Sequence, residues 1–178
     1  MMDYPWYAVV TGPGLQQGDL LRDCPVVVPM PDFAWPMREE RLPVEVQLYD
    51  VAVLSQSCDL ANDKIQDVVV VPHIALTALE QESSFLRGRQ GKEALRRGQV
   101  VGYHLLAGYD GHVEELRGGL QVVDLRRVYS LPKAFLRRFA EAQGSRLRLL
   151  PPYREHLAQA FARFFMRVGL PVDIPPFR

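Results

Sequence analysis

Val44-Glu45-Val46-Gln47-Leu48-Tyr49-Asp50-Val51-Ala52-Val53-Leu54 is the stretch that decides the fold class. Val44, Val46 and Leu48 share one parity, and Val51 and Val53 share the other. Alternation of this kind is the mark of a half-buried strand, because successive side chains point to opposite faces. The change of parity at Tyr49-Asp50 predicts a turn or a bulge there. Downstream, Val68-Val69-Val70-Val71 is a continuous β-branched run, which predicts a strand buried on both faces and stopped by Pro72. The polar stretch Ser55-Gln56-Ser57-Cys58-Asp59-Leu60-Ala61-Asn62-Asp63-Lys64 reads as a loop joining the two strands.

Working outward, Trp6 to Val10 is a short β-prone run ended by Thr11-Gly12-Pro13-Gly14. Leu20-Leu21 and Val26-Val27-Val28 follow. The prolines at 29, 31 and 36 then predict a loop along a sheet edge, with Phe33 and Trp35 covering one end of the core. Residues 75–86 and 92–97 predict short helices, and 100–106 and 120–125 predict strands around the turn at Gly108-Tyr109-Asp110-Gly111. Ser130 is the expected cap of a helix carrying Phe135, Leu136 and Phe139 and ended by Gly144. A last helix opens at Pro151-Pro152, bears the stripe Tyr153, Leu157, Phe161, Phe164, Phe165 and Val168, and closes at Gly169.

With 178 residues, 48% hydrophobic and 24% charged, the chain can bury a core without disulfide staples. No apolar run reaches the ~20 residues of a membrane span. Met1 to Trp6 lacks the basic start of an export signal, and Cys24 and Cys58 are the only cysteines. The expected location is therefore the cytoplasm, with both thiols reduced. A net charge of zero hides a split: residues 1–90 carry −7 and residues 91–178 carry +7. Such polarity favours an anionic partner for the C-terminal half, RNA, DNA or an acidic protein surface. Facing of the two halves within or between copies is the plainer account. Arginine outnumbers lysine 18 to 3, which fits either heat adaptation or base composition and says nothing of activity.

Two groups of residues could carry chemistry. In the first, Cys58 is a nucleophile with Asp59 and His73 in support. A thiolate needs a nearby cation, His or helix N-terminus, whereas an adjacent carboxylate raises the thiol pKa. The alternative is a cysteine packed under a loop, with Asp59 bonding backbone N–H groups. The second group is Arg137, Arg138, Arg163 and Arg167, of which the last two lie four apart on one helix face and could follow phosphates. A solvated arginine-rich face is the other reading. The spacing Gly12-x-Gly14-x-x-x-Gly18 is too long for a dinucleotide loop and lacks the Gly-Lys-Ser/Thr ending of a P-loop. No C-x-x-C or H-E-x-x-H pattern supports a metal, and no cofactor is expected.

The succession Gly18-Asp19-Leu20-Leu21, Val51-Ala52-Val53-Leu54-Ser55, Val68-Val69-Val70-Val71-Pro72 and Val122-Val123-Asp124-Leu125-Arg126-Arg127-Val128 resembles that of MazF/PemK-like toxins. The resemblance spans about residues 15–140 and implies an SH3-like barrel, usually dimeric and RNA-cleaving. Tyr49-Asp50 stand where that family has Arg-Pro, and Ile74 stands for its polar Thr or Ser, so only the barrel is carried over. The Ser55-Gln56-Ser57-Cys58-Asp59-Leu60 stretch also resembles one in uncharacterised bacterial proteins, which implies no chemistry. The expected fold is α+β: a small SH3-like or partly open β-barrel core over 1–129 with helical insertions, and a C-terminal helical extension over 130–178. The expected function is non-enzymatic binding. Catalysis through Cys58, or an oligomer-forming role in which Leu170 to Phe177 docks on a second copy to make a homodimer, are its rivals.

Overall fold

The computed structural model describes residues 4–31 and 44–166. The expectations for Phe33, Trp35, Arg167, Val168, Gly169 and the apolar end lie outside those residues. Among the described residues the fold is α+β, with eight strands in one open antiparallel sheet and six α-helices. The strands are β1 (Tyr7–Val10), β2 (Asp19–Pro29), β3 (Val44–Val53), β4 (Asp67–Ala75), β5 (Tyr103–Leu106), β6 (Gln121–Asp124), β7 (Tyr129–Pro132) and β8 (Arg146–Leu149). Their order is β1-β8-β2-β3-β4-β6-β5, with β7 also on β4. The end strands β1 and β5 do not pair with each other, so the sheet does not close. The chain beyond Ser130 contributes strand as well as helix, since β8 pairs with both β1 and β2.

Two details of this sheet set where its polar side chains stand. The bulge predicted at Tyr49-Asp50 lies on the partner strand: Leu21 faces Val51 and Cys24 faces Tyr49, so Arg22 and Asp23 together oppose Asp50. Asp23 takes φ +51, a left-handed conformation that a short polar side chain tolerates. Its N–H donates to Asp50 Oδ1 at 2.9 Å. Because β3 itself runs unbroken, Val44, Val46 and Leu48 share a face with Asp50 and Ala52. They are 48%, 58% and 62% exposed, so this parity does not face the core at that end. The second detail is Pro72, which does not stop β4. Antiparallel pairing with β7 ends at Val70 and pairing with β6 begins at His73. The missing proline N–H therefore falls where the strand edge changes partner, a place proline tolerates.

The sheet has a helix on each face. On one, α5 (Lys133–Gln143) packs Leu136 and Ala140 against Leu21, Cys24, Val26, Val51, Val53, Val68 and Val70. Its N-cap is Pro132 rather than Ser130, because Ser130 is held in β7 opposite Val69. Gly144 ends it at φ +78, as its sequence position predicts. On the other face, α6 (Tyr153–Phe165) lays Leu157, Tyr153, Phe161 and Phe164 over Leu20, Ala52, Val71, Leu106 and Val123. Phe165 departs from the expected stripe and is 55% exposed.

Three short helices connect β4 to β5: α2 (Leu76–Glu82), α3 (Ser84–Arg87) and α4 (Arg89–Arg96). Leu76, Leu79, Leu86 and Leu95 bury against Val122 to form a third cluster. A buried ion cluster pins β8 to β2. Asp19 accepts from Arg146 Nε at 2.9 Å and from Arg148, while Arg146 also donates to the carbonyls of Gly12 and Gly14 at 2.8 and 2.6 Å. The Gly12–Gly18 segment is thus a turn held by two arginines. Among the described residues no helix is long and apolar enough to cross a membrane.

Candidate functional site

The polar connection after β3 is helical where a loop was expected: α1 (Ser57–Ala61) makes one turn there. Cys58 is exposed, and its Sγ lies 3.6 Å from Gln56 Oε1 and 3.7 Å from Asp59 Oδ1, both oxygen acceptors. Asp59 itself pairs with Lys64 at 3.8 Å. His73 sits elsewhere. Leu54 N–H bonds to Val69 O, so α1 leaves the sheet beside Val69, whereas His73 is four residues further along β4, roughly 13 Å at the rise of a strand. The structure therefore groups His73 with residues other than Cys58 and Asp59.

Those residues form a polar row across one face of the sheet. Along β2, β3 and β4 the apolar row Leu20, Ala52 and Val71 belongs to the core under α6. Two residues further on the same face stand Arg22, Asp50 and His73; on β6 the core residue Val123 lies opposite His73, and Gln121, opposite Ala75, reaches the ring diagonally. The bulge at Arg22-Asp23 and the passage of β4 through Pro72 bring them there, so neither local pattern alone points to the row. With Tyr7, Tyr109, Leu116 and Leu147, the residues Arg22, Asp50, His73 and Gln121 line a cavity of about 140 Å³. The β5–β6 connection roofs it: Arg22 Nη1 donates to Glu115 O at 2.6 Å, Tyr7 Oη donates to Ala107 O at 2.7 Å, and Tyr109 bridges to Gly118.

His73 is 6% exposed. Burial pushes its pKa below the ordinary histidine value against the opposing pull of Asp50, so the ring is neutral at pH 7. Gln121 Nε2 donates to Gly119 O at 3.3 Å, which leaves its Oε1 toward His73 Nδ1, also at 3.3 Å. Nδ1 therefore carries the proton and Nε2 is a bare acceptor. That Nε2 and the Nε of Arg22 are buried without a hydrogen-bond partner.

A second concavity of about 560 Å³ lies between the α4–β5 connection and α6. Arg96, Arg97, His104, His156 and Arg163 line it together with Tyr103 and Phe164, and among the described residues no Asp or Glu does. Arg96 and Arg97 share one carboxylate, Glu93, which their hydrogen bonds hold at a pKa of about 2. Arg163 Nη2 donates to the neutral Gln159 amide oxygen at 3.4 Å, and among the described residues it forms no salt bridge. His104 is lowered to about 4 by burial first and by His156 second, so it is uncharged at neutral pH. Arg126 lies over the Tyr103 ring, its Cζ 4.3 Å from the centroid.

The three described arginines among those singled out by charge do not form one patch. Arg137 and Arg138 are on α5 and Arg163 is on α6, on opposite faces of the sheet. Arg137 borders a separate depression with Lys133, Asp63 and Arg148. Arg96, Arg97, His104 and His156, which build the groove, are scattered in sequence, and only their positive or polar character could have signalled them. Among the described residues no three His, Cys, Asp or Glu side chains gather as metal ligands. Comparisons with family models, with curated proteins and with solved structures gave no match.

Proposed function

We propose that this chain is a non-enzymatic nucleic-acid-binding protein whose groove between the α4–β5 connection and α6 takes a phosphate backbone. One observation carries the reading: three guanidiniums converge on a groove lined by no carboxylate among the described residues. Arginine suits this task because its planar fork bonds phosphate oxygens in pairs. Tyr103 and Phe164 also line the groove, with Arg126 over the Tyr103 ring and Phe164 packed on the core. The surplus of +7 in residues 91–178 would steer a polyanion to this side. On this reading the open sheet is an SH3-like scaffold of the MazF/PemK kind without that family's chemistry, working in the cytoplasm.

The test is retention of RNA and of single- and double-stranded DNA as a function of salt. Phosphate contacts release counterions, so log K should fall linearly with log salt, and Arg163→Gln or Arg97→Gln should each reduce the slope by about 1. Absence of retention at low ionic strength removes the proposal. Retention of acidic proteins but not of nucleic acids would instead favour an acidic protein surface as partner.

A homodimer is a second proposal, favoured by the exposed apolar face of Val27, Val44, Val46 and Leu48 on the β2–β3 ribbon. Such a face is what a second copy would cover. A single monomeric mass in sedimentation at high protein concentration would remove it.

A further inference from the structure

We propose that the cavity under the β5–β6 connection is a binding site for an uncharged, single-ring heterocycle that presents a hydrogen-bond donor beside an acceptor, as a pyrimidine base does. Three observations on that cavity carry it. The first is that two of its lining residues, Arg22 and His73, each carry a buried nitrogen without a partner, Arg22 Nε and His73 Nε2. Buried polar groups are almost always satisfied, and each that is not calls for a partner. Arg22 Nε–H can only donate and neutral His73 Nε2 can only accept, so a ligand that reaches both supplies one acceptor and one donor.

The second is size. A volume of about 140 Å³ is close to that of an engineered cavity of about 150 Å³ that admits benzene. One ring fits, and a fused pair does not. The third is the charge and shape of the lining. Arg22 and Arg117 are balanced by Asp50 and Glu115, so a charged ligand would gain little net attraction. Leu20, Leu116 and Leu147 offer an apolar floor and Tyr109 a ring to stack on. Apolar walls with a few convergent polar atoms are the general design of a small-molecule pocket.

This site shares no lining residue with the groove proposed for phosphate, so the two stand or fall separately.

The experiment uses the full chain and follows the ring signals of His73 by NMR during titration with free uracil and free cytosine. Saturable shifts with a dissociation constant on the order of 1 mM or tighter are expected. 1,3-Dimethyluracil, which keeps both carbonyls but has no N–H to give His73, should bind at least tenfold more weakly, and hypoxanthine, a fused pair of rings, should not bind. His73→Phe should lose the affinity for uracil at least tenfold, read from the Tyr109 ring signals, while Arg163→Gln leaves it unchanged. No saturable shift with either pyrimidine would overturn the proposal. Equal affinity for uracil and its dimethyl derivative would overturn the donor and acceptor assignment on which it rests, even if the His73 variant failed to fold.

Discussion

Replacing Asp19 by alanine is expected to be among the costliest single substitutions in this chain. The Asp19 carboxylate is fully buried and accepts from Gln16 N–H at 3.2 Å, from Arg146 Nε at 2.9 Å and from two nitrogens of Arg148. Without it the Arg146 guanidinium, whose side chain has no exposure, is left charged beside two carbonyls and cannot reach water. Breaking a buried pair on one side only costs about 3–5 kcal/mol. For a domain of this size that lowers Tm by roughly 6–20 °C, at about 2–4 °C per kcal/mol. Urea unfolding followed by circular dichroism should show a lower midpoint with an unchanged slope. Removing both partners, as Asp19→Leu with Arg146→Met, should recover most of the loss. No buried charge then remains, Arg148 is 15% exposed and can turn outward, and water can reach the carbonyl of exposed Gly14. A loss below about 1 kcal/mol for Asp19→Ala, or a double variant as unstable as the single one, would refute the reasoning.

Three further outcomes are expected. Stability should fall as pH drops below about 6.5, since His73 and His104 have folded values below their unfolded ones and the unfolded chain gains protons first. For His104, lowered to about 4, the loss is at most about 3 kcal/mol between those limits, and urea midpoints that do not change from pH 7 to 5 would contradict it. Alkylation of the folded protein should label exposed Cys58 and spare Cys24, which is buried and pushed up to about 11; two labels before unfolding would contradict the packing of β2. Gly18→Ala should cost about 1–2 kcal/mol for its left-handed backbone alone, and more because its Cβ would stand 2.9 Å from that of Leu149; an unchanged urea midpoint would argue against the β2–β8 junction.

Local pattern was enough to mark most strands and both long helices. Alternation in Val44–Leu54, the valine run at 68–71, the Gly144 stop and the Tyr153, Leu157, Phe161 and Phe164 stripe all correspond to described elements. Each depends on a period or a breaker within a dozen residues. Arg146-Leu147-Arg148-Leu149 alternates as a strand does, but four residues with two charges are too short a signal, and Arg146 is buried only because Asp19 meets it from β2. Cys58 stood out chemically, yet its position at the Val69 end of β4 separates it from His73.

Composition and spacing are sufficient for an α+β chain with apolar strands, a helix stopped at Gly144 and a positive C-terminal half. Tertiary structure alone decided which polar side chains meet. Arg22, Asp50, His73 and Gln121 come from four strands, and they meet because a bulge turns β2 by one residue and β4 continues through Pro72 to bring His73 diagonally against Gln121. Side chains far apart in sequence become neighbours through strand register, and register is set by how whole faces bury, not by the residues that end up side by side.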